Sequence, residues 1–292
     1  MAVDSTRFNL RDYFLGDEAL HQTGNHTAIE FRGRQITYME LRDEVDYWAH
    51  QILNCGVTRG DRVALLLYDS PEFIACFLAT ASVGAVCAPI NTFLPPDDIA
   101  FILKDSGARV VIAESELLGK LKSESGCAVV AVDTLDRAHL NNNSEVFPEA
   151  SVAATTRETP AFLLYTSGST GAPKGVLHSH GSMAYTVESY SANVLRLTSE
   201  DRVYSSSRMF FAYGLGNSLS FPLAAGATVL LDAERASAEH LSKLIEQRSP
   251  TVFFGVPAVY LSLLEYRACG GYLNFSNVRL CISAGEALPA RV

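Results

Sequence analysis

The chain has 292 residues, 48% of them hydrophobic and 19% charged, which allows one large domain or two modest ones with a real core. A formal net charge of -9 argues against nucleic acid as the main partner. A polyanionic ligand would have to find local positive charge. Cys55, Cys76, Cys87, Cys127, Cys269 and Cys281 form no C-x-x-C pair, and most sit in apolar runs. That is the pattern of buried free thiols in a reducing compartment. The start, Met1-Ala-Val-Asp4, has no basic-then-apolar signal, so a cytoplasmic protein is expected.

The first elements read as a hairpin, Thr27–Phe31 and Gln35–Thr37, turning at Arg32-Gly33-Arg34. Thr37-Tyr-Met-Glu40 has the form of a capping box and opens a helix to about Cys55. Continuous apolar strands follow at Val63–Leu67, Val86–Ile90, Arg109–Ala113 and Val129–Val132, with helical patterns at Pro71–Val83 and Pro95–Ser106. Phe73–Leu94 carries no charge, but it is rich in Ala, Ser, Thr and Cys and is interrupted by Gly84 and Pro89. A helix and then a buried strand explain it better than a membrane span. Met209–Leu231 is also uncharged, and Gly214, Gly216, Pro222 and Gly226 break it. Arg7, Arg11 and the acidic cluster Asp43–Asp46 read as solvated faces.

Asp133–Pro160 holds few apolar residues and predicts a surface connection. A second series then runs through strand Phe162–Tyr165, helix Ser182–Leu195, strand Val203–Ser206, a helix near Leu215–Ala224 and strand Thr228–Leu231. Helix Ala238–Arg248, strand Val252–Phe254, helix Pro257–Arg267 and strand Val278–Ser283 complete it. The alternation predicts an α/β fold of layered, parallel-rich sheets covered by helices. Two sub-layers are expected, about 1–135 and 160–292, joined by a 136–159 connection.

After the apolar run Ala161–Tyr165, the stretch Thr166-Ser-Gly-Ser-Thr-Gly-Ala-Pro-Lys174-Gly175 combines three glycines, four hydroxyls and one lysine. Glycines let backbone N–H groups turn toward an anion, hydroxyls donate without bulk, and lysine brings a mobile positive charge. A polar surface turn is the plainer alternative. It is not a Walker loop, because Lys174 follows Pro173 and precedes Gly175. The order, read from Tyr165, resembles the signature loop of the adenylate-forming superfamily, which includes acyl-CoA synthetases. By that resemblance Thr166, Ser167, Gly168, Ser169, Thr170, Gly171 and Lys174 grip the β- and γ-phosphates of ATP.

Two further stretches extend the resemblance. Ser283-Ala-Gly-Glu286-Ala-Leu-Pro289 follows a strand and is expected to enter a helix with Pro289 in its first turn. It is similar to the family's adenine-contacting motif, which would set Ala284, Gly285 and Glu286 against the base; a plain strand, turn and helix cap would look alike. Met209–Asn217 resembles the stretch that lines the acyl pocket, with Phe211 at the gating position and Ala212, Tyr213 and Gly214 beside it. The alternative there is core packing of a helix start. Phe211 cannot pair with an ammonium, which disfavours an amino-acid substrate. The wording Phe-Phe-Ala-Tyr-Gly-Leu-Gly-Asn resembles benzoate–CoA and related aryl–CoA ligases. Gly255 and Val256 join the pocket by the same resemblance, although Gly255 could equally serve a turn. His178 and His180 flank Ser179; no third ligand is evident, so capping or exposure is expected rather than metal binding, and no metal ligand is assigned in this stretch.

The resemblance implies an ATP-dependent carboxylate–CoA ligase, with ATP, Mg²⁺ and CoA, acting on an aromatic acid such as benzoate. A medium- or long-chain fatty-acid ligase and a non-catalytic nucleotide-binding module are the alternatives. The family's later motifs, including a Mg²⁺-holding Glu, a ribose-binding Asp and a small C-terminal domain with a catalytic Lys, do not occur in these 292 residues. The stretch reads as an incomplete N-terminal adenylation domain with little expected turnover alone.

Overall fold

A computed structural model describes residues 7–122, 126–134, 152–166, 173–234 and 236–290. Two short helices, α1 (Leu10–Leu15) and α2 (Asp17–Thr23), precede the hairpin β1 (Thr27–Phe31) and β2 (Arg34–Thr37). Helix α3 (Tyr38–Asn54) starts at the expected box: Thr37 and Glu40 cap each other's backbone N–H groups. Then come β3 (Arg62–Leu66), α4 (Pro71–Ser82), β4 (Val86–Pro89), α5 (Pro96–Ser106), β5 (Ala108–Ala113) and β6 (Ala128–Ala131). The later strands are β7 (Pro160–Thr166), β8 (Lys174–Ser179), β9 (Arg202–Ser205), β10 (Thr228–Leu230), β11 (Val252–Gly255) and β12 (Leu280–Ser283).

The strands form two six-stranded sheets, ordered β12-β11-β9-β10-β1-β2 and β6-β5-β3-β4-β7-β8. Every pairing is parallel except β1 with β2 and β7 with β8. The sheets therefore do not divide at a 136–159 boundary. The first hairpin joins the later strands, and β7 and β8 join the earlier ones. Glu30 explains part of this exchange: its carboxylate meets Arg202 of β9 at 2.6 Å and Arg248 at 2.8 Å, fixing β1 beside β10.

Helix α4 is buried on nearly every side, from Phe73 to Ser82. That is why its sequence carries no charge after Glu72 in the first turn, as expected of a helix with almost no solvent face. Ser70 caps it and Pro71 opens it. Among the described residues no helix is long and apolar enough to cross a membrane.

Several surface readings are corrected. Arg11 is 2% exposed and donates twice to Asp46 at 2.9 Å, and Asp46 and Glu44 are buried too. Helix α1 packs near α3 and shuts this pair from water, and Arg11 also meets Asp12 at 3.2 Å, so the buried guanidinium is kept by two carboxylates. The described end of the long connection is not superficial: Thr155 is buried, and it exchanges bonds with Phe8 and Asn9. Among the described residues no cysteine forms a disulfide; Cys76 and Cys87 are buried, while Cys269 and Cys281 are exposed.

Candidate functional site

Ligands of parallel sheets lie at the carboxyl ends of the strands, and those of the predicted residues that the structure describes lie at or beside such ends. β7 and β8 pair antiparallel with Thr166 opposite Lys174, and Thr166 Oγ1 donates to the Lys174 carbonyl at 3.5 Å. The stretch between Thr166 and Lys174 therefore connects two antiparallel strands whose ends are paired. Strand β8 went unread in the sequence. Ser167, Gly168, Ser169, Thr170 and Gly171 lie outside the described residues. Thr166 and Lys174 are exposed, and among the described residues Lys174 enters no ion pair. Behind them the Tyr165 hydroxyl donates to Asp105 at 2.7 Å.

A cleft of about 550 Å³ opens beside these stems. Its walls include Thr166 and Pro173 from the hairpin, Asn91 and Leu94 after β4, and Phe211 and Ala212. Phe211 stands 46% exposed, just before the helix Ala212–Leu215. Its N–H donates to the Arg208 carbonyl at 3.0 Å, closing a turn. Phe210 is buried beneath, edge-on to Phe211 at 4.7 Å and to Phe93 at 5.8 Å between ring centroids.

Tyr213 links this stretch to the other predicted loops. Its hydroxyl lies 3.3 Å from the Gly255 carbonyl and 3.4 Å from that of Ile282. One proton cannot serve both, so each bond is weak. Burial, then the nearby Tyr190, pushes its pKa up to about 12. Val256 lies 3.7 Å from where a Cβ on Gly285 would stand, and Gly285 has φ +94°, which favours glycine. The Ala284–Glu286 loop thus leaves β12 beside Val256, with Glu286 exposed. Residues 284–290 form no helix, so Pro289 does not open one within the described residues.

Two glycines have packing reasons. A Cβ on Gly214 would stand 2.1 Å from the Arg208 carbonyl oxygen. One on Gly255 would stand 2.8 Å from the Tyr260 ring, whose hydroxyl donates to the Ile282 carbonyl at 2.8 Å. Below Ala212 a smaller apolar pocket of about 130 Å³ is bounded by Phe162, Leu164, Met183, Thr186, Leu215 and Gly216. Two wide π-helical segments, Val187–Leu195 and Gly216–Ser220, continue the helices on this side. Such segments are frequent at functional sites.

Neither histidine caps a helix at the surface. His178 stacks on Phe162 at 4.7 Å, and burial lowers its pKa. His180 is fully buried, accepts the Leu10 N–H at Nδ1, and is pushed down to about 4 by burial and then by Arg59. Among the described residues no group of His, Cys, Asp or Glu could hold a metal.

The sequence reading missed Asp69 and Arg208. Asp69 follows β3, is 4% exposed and accepts the Met209 N–H at 3.0 Å. Burial raises its carboxyl to about 6, against the pull of Arg208. A lone acid between an apolar strand and a Ser-Pro helix start was the available signal.

Two parallel-rich α/β sheets, a hydroxyl- and glycine-rich hairpin at one cleft, and an aromatic-lined pocket beside it define the N-terminal architecture of an adenylate-forming enzyme. The chain belongs to the AMP-binding enzyme family, whose pattern matches residues 16–292. It is 37% identical to benzoate–CoA ligase of Thauera aromatica over 98% of this chain and 55% of that protein. It is 39% identical to anthranilate–CoA ligase of Pseudomonas aeruginosa over 90% of this chain and 51% of that one. A solved benzoate CoA ligase from Burkholderia xenovorans superposes with a TM-score of 0.85 at 34% identity, over 97% of this chain and 57% of its own. The chain thus spans about half the length of these relatives.

Proposed function

We propose that these residues are the acid- and nucleotide-binding part of an ATP-dependent aryl-acid–CoA ligase. The carrying observation is the one-ring apolar pocket of about 130 Å³ that shares Ala212 with the cleft beside the Thr166–Lys174 hairpin. A dry cavity of about 150 Å³ accepts benzene, so this volume suits one aromatic ring and not a long alkyl chain. Phe211 and Tyr213 bound the acyl group, and Phe211 at the gate cannot pair with the ammonium of an amino acid.

The carboxylate oxygen of the acid would attack the α-phosphorus of ATP. A carboxylate–phosphorus bond forms and the bond to pyrophosphate breaks. The CoA thiolate then attacks the acyl carbon and AMP leaves. The acid is its own nucleophile, so the protein positions and neutralises. Lys174 and the hairpin donors are assigned to the departing phosphates, and Ala284–Glu286 to adenine. The described residues assemble no Mg²⁺ site, and no step is drawn through one.

A panel of carboxylates with the whole protein tests this reading. Benzoate and its ring-substituted analogues should drive ATP-dependent CoA consumption, while palmitate should not. Preferential use of the fatty acid would overturn it. Pyrophosphate release by these 292 residues alone is expected to be small.

A further inference from the structure

The turn that carries Phe210 and Phe211 is held by a buried ion pair outside the family motifs. Arg208 spreads its guanidinium over three consecutive carbonyls: Asp232 at 2.6 Å, Ala233 at 3.2 Å and Glu234. The Nη1 that donates to Asp232 also lies 3.6 Å from Asp69 Oδ2, and Asp69 Oδ1 takes the Met209 N–H. Asp69 follows β3 of one sheet, whereas Arg208 and Asp232 follow β9 and β10 of the other. Three carboxyl-end loops from both sheets therefore meet at one pair of charges.

Directly after this junction the chain has little freedom. Met209 is wholly buried, the Phe211 N–H closes on the Arg208 carbonyl, and Gly214 leaves no room for a Cβ against that same carbonyl. The helix bearing Ala212 and Tyr213 rests on the turn, so its placement follows from how Arg208 and Met209 are held. A preorganised wall binds more tightly than a mobile one, because less side-chain and loop ordering remains to be done.

We infer that Asp69 and Arg208 are positioning residues that set the Phe211–Tyr213 wall, and thereby govern binding of the acyl part of the ligand rather than its nucleotide. This rests on the aryl-acid reading above. Neither residue is assigned contact with the substrate.

The test is calorimetric binding of two probes to this chain: AMP, and benzoyl-sulfamoyl adenosine as a mimic of the aryl adenylate. Asp69→Ala should weaken the mimic at least tenfold and AMP less than twofold. Asp69→Asn, which keeps an acceptor for the Met209 N–H, should recover all but about threefold of the loss. Arg279→Ala breaks an ion pair with Asp201 elsewhere and should leave the ratio of the two affinities unchanged. If Asp69→Ala does not fold, Arg208→Gln takes its place with the same expected split. Equal losses for both probes, or no loss for the mimic, would overturn the inference. If the wild-type chain binds the mimic no better than AMP, the aryl-acid reading fails first and the inference falls with it.

Discussion

The backbone N–H of Leu10 donates to Nδ1 of His180 across 3.1 Å, tying α1 to the helix that follows β8. An acceptor at Nδ1 requires a neutral ring, or at least one without a proton there. The other nitrogen, Nε2, is buried without a partner. The imidazole is thus held neutral, with its pKa at about 4 against 6.5 for an unperturbed histidine.

This sets the sign of an acid effect. Between pH 6.5 and 4 the unfolded chain binds a proton at this residue that the folded chain refuses. Its contribution is therefore present above pH 6.5 and is lost as pH falls toward 4. The span corresponds to about 3 kcal/mol. Asp69 and Glu114, with carboxyls raised to about 6 and about 7, act in the opposite sense as pH rises. Urea unfolding of wild type and His180→Gln at pH 7 and pH 4.5 isolates the histidine. The variant should lose less stability on acidification, and parallel curves would remove His180 as the cause.

Lys174 offers a cleaner functional probe, because it is exposed and supports no described ion pair. Lys174→Ala should leave the thermal midpoint unchanged. A charged hydrogen bond is worth about 1.5–3 kcal/mol, so ATP should bind roughly 10- to 100-fold more weakly. Equilibrium binding of ATP to the two chains checks this, and equal affinities would take Lys174 out of the phosphate site.

Gly214 should tolerate no side chain. Its added Cβ would meet a backbone oxygen at 2.1 Å, which cannot swing aside as a flexible side chain could. Gly214→Ala is expected to cost about 3 kcal/mol, at the upper end of overpacking effects. Gly119→Ala is the control, since nothing lies within 4 Å of its Cβ position. Thermal melts of both variants should separate clearly.

Tyr213 divides into a ring and a hydroxyl. The hydroxyl's two bonds are long, so Tyr213→Phe should change aryl-acid affinity less than about threefold. Tyr213→Ala removes the wall facing Phe254 and should weaken it at least tenfold. A larger effect for Phe than for Ala would mean that the phenol, not the ring, meets the ligand.

Much of the fold was legible because its signals are local. Thr37 and Glu40 announced α3, Pro71 announced α4, and the apolar runs of β3, β4 and β5 are short, continuous and buried. Helix Ala238–Arg248 has the predicted bounds. What escaped depends on partners far away in the chain. Arg11 reads as a surface charge until Asp46, 35 residues on, is placed beside it. Strand β8 leaves Val176 and Leu177 exposed and pairs along one edge only, so it lacks the burial pattern of its neighbours. At the site, the density of donors marked the hairpin and the aromatics marked the cleft. Asp69 and Arg208 could not be paired from sequence, because 139 positions separate them and nothing local couples them.

The exchanged strands also bear on how the chain matures. β1 ends at residue 31, but its parallel neighbour β10 begins at residue 228. At ribosomal speeds of about 5–20 residues per second, the first hairpin waits roughly 10–40 s for that partner to be synthesised. During the wait its free edge is open to other chains. Glu30, waiting near the end of β1 for Arg202 and Arg248, puts a charge on that strand in the meantime and so works as a guard during synthesis before it becomes a clasp in the finished sheet.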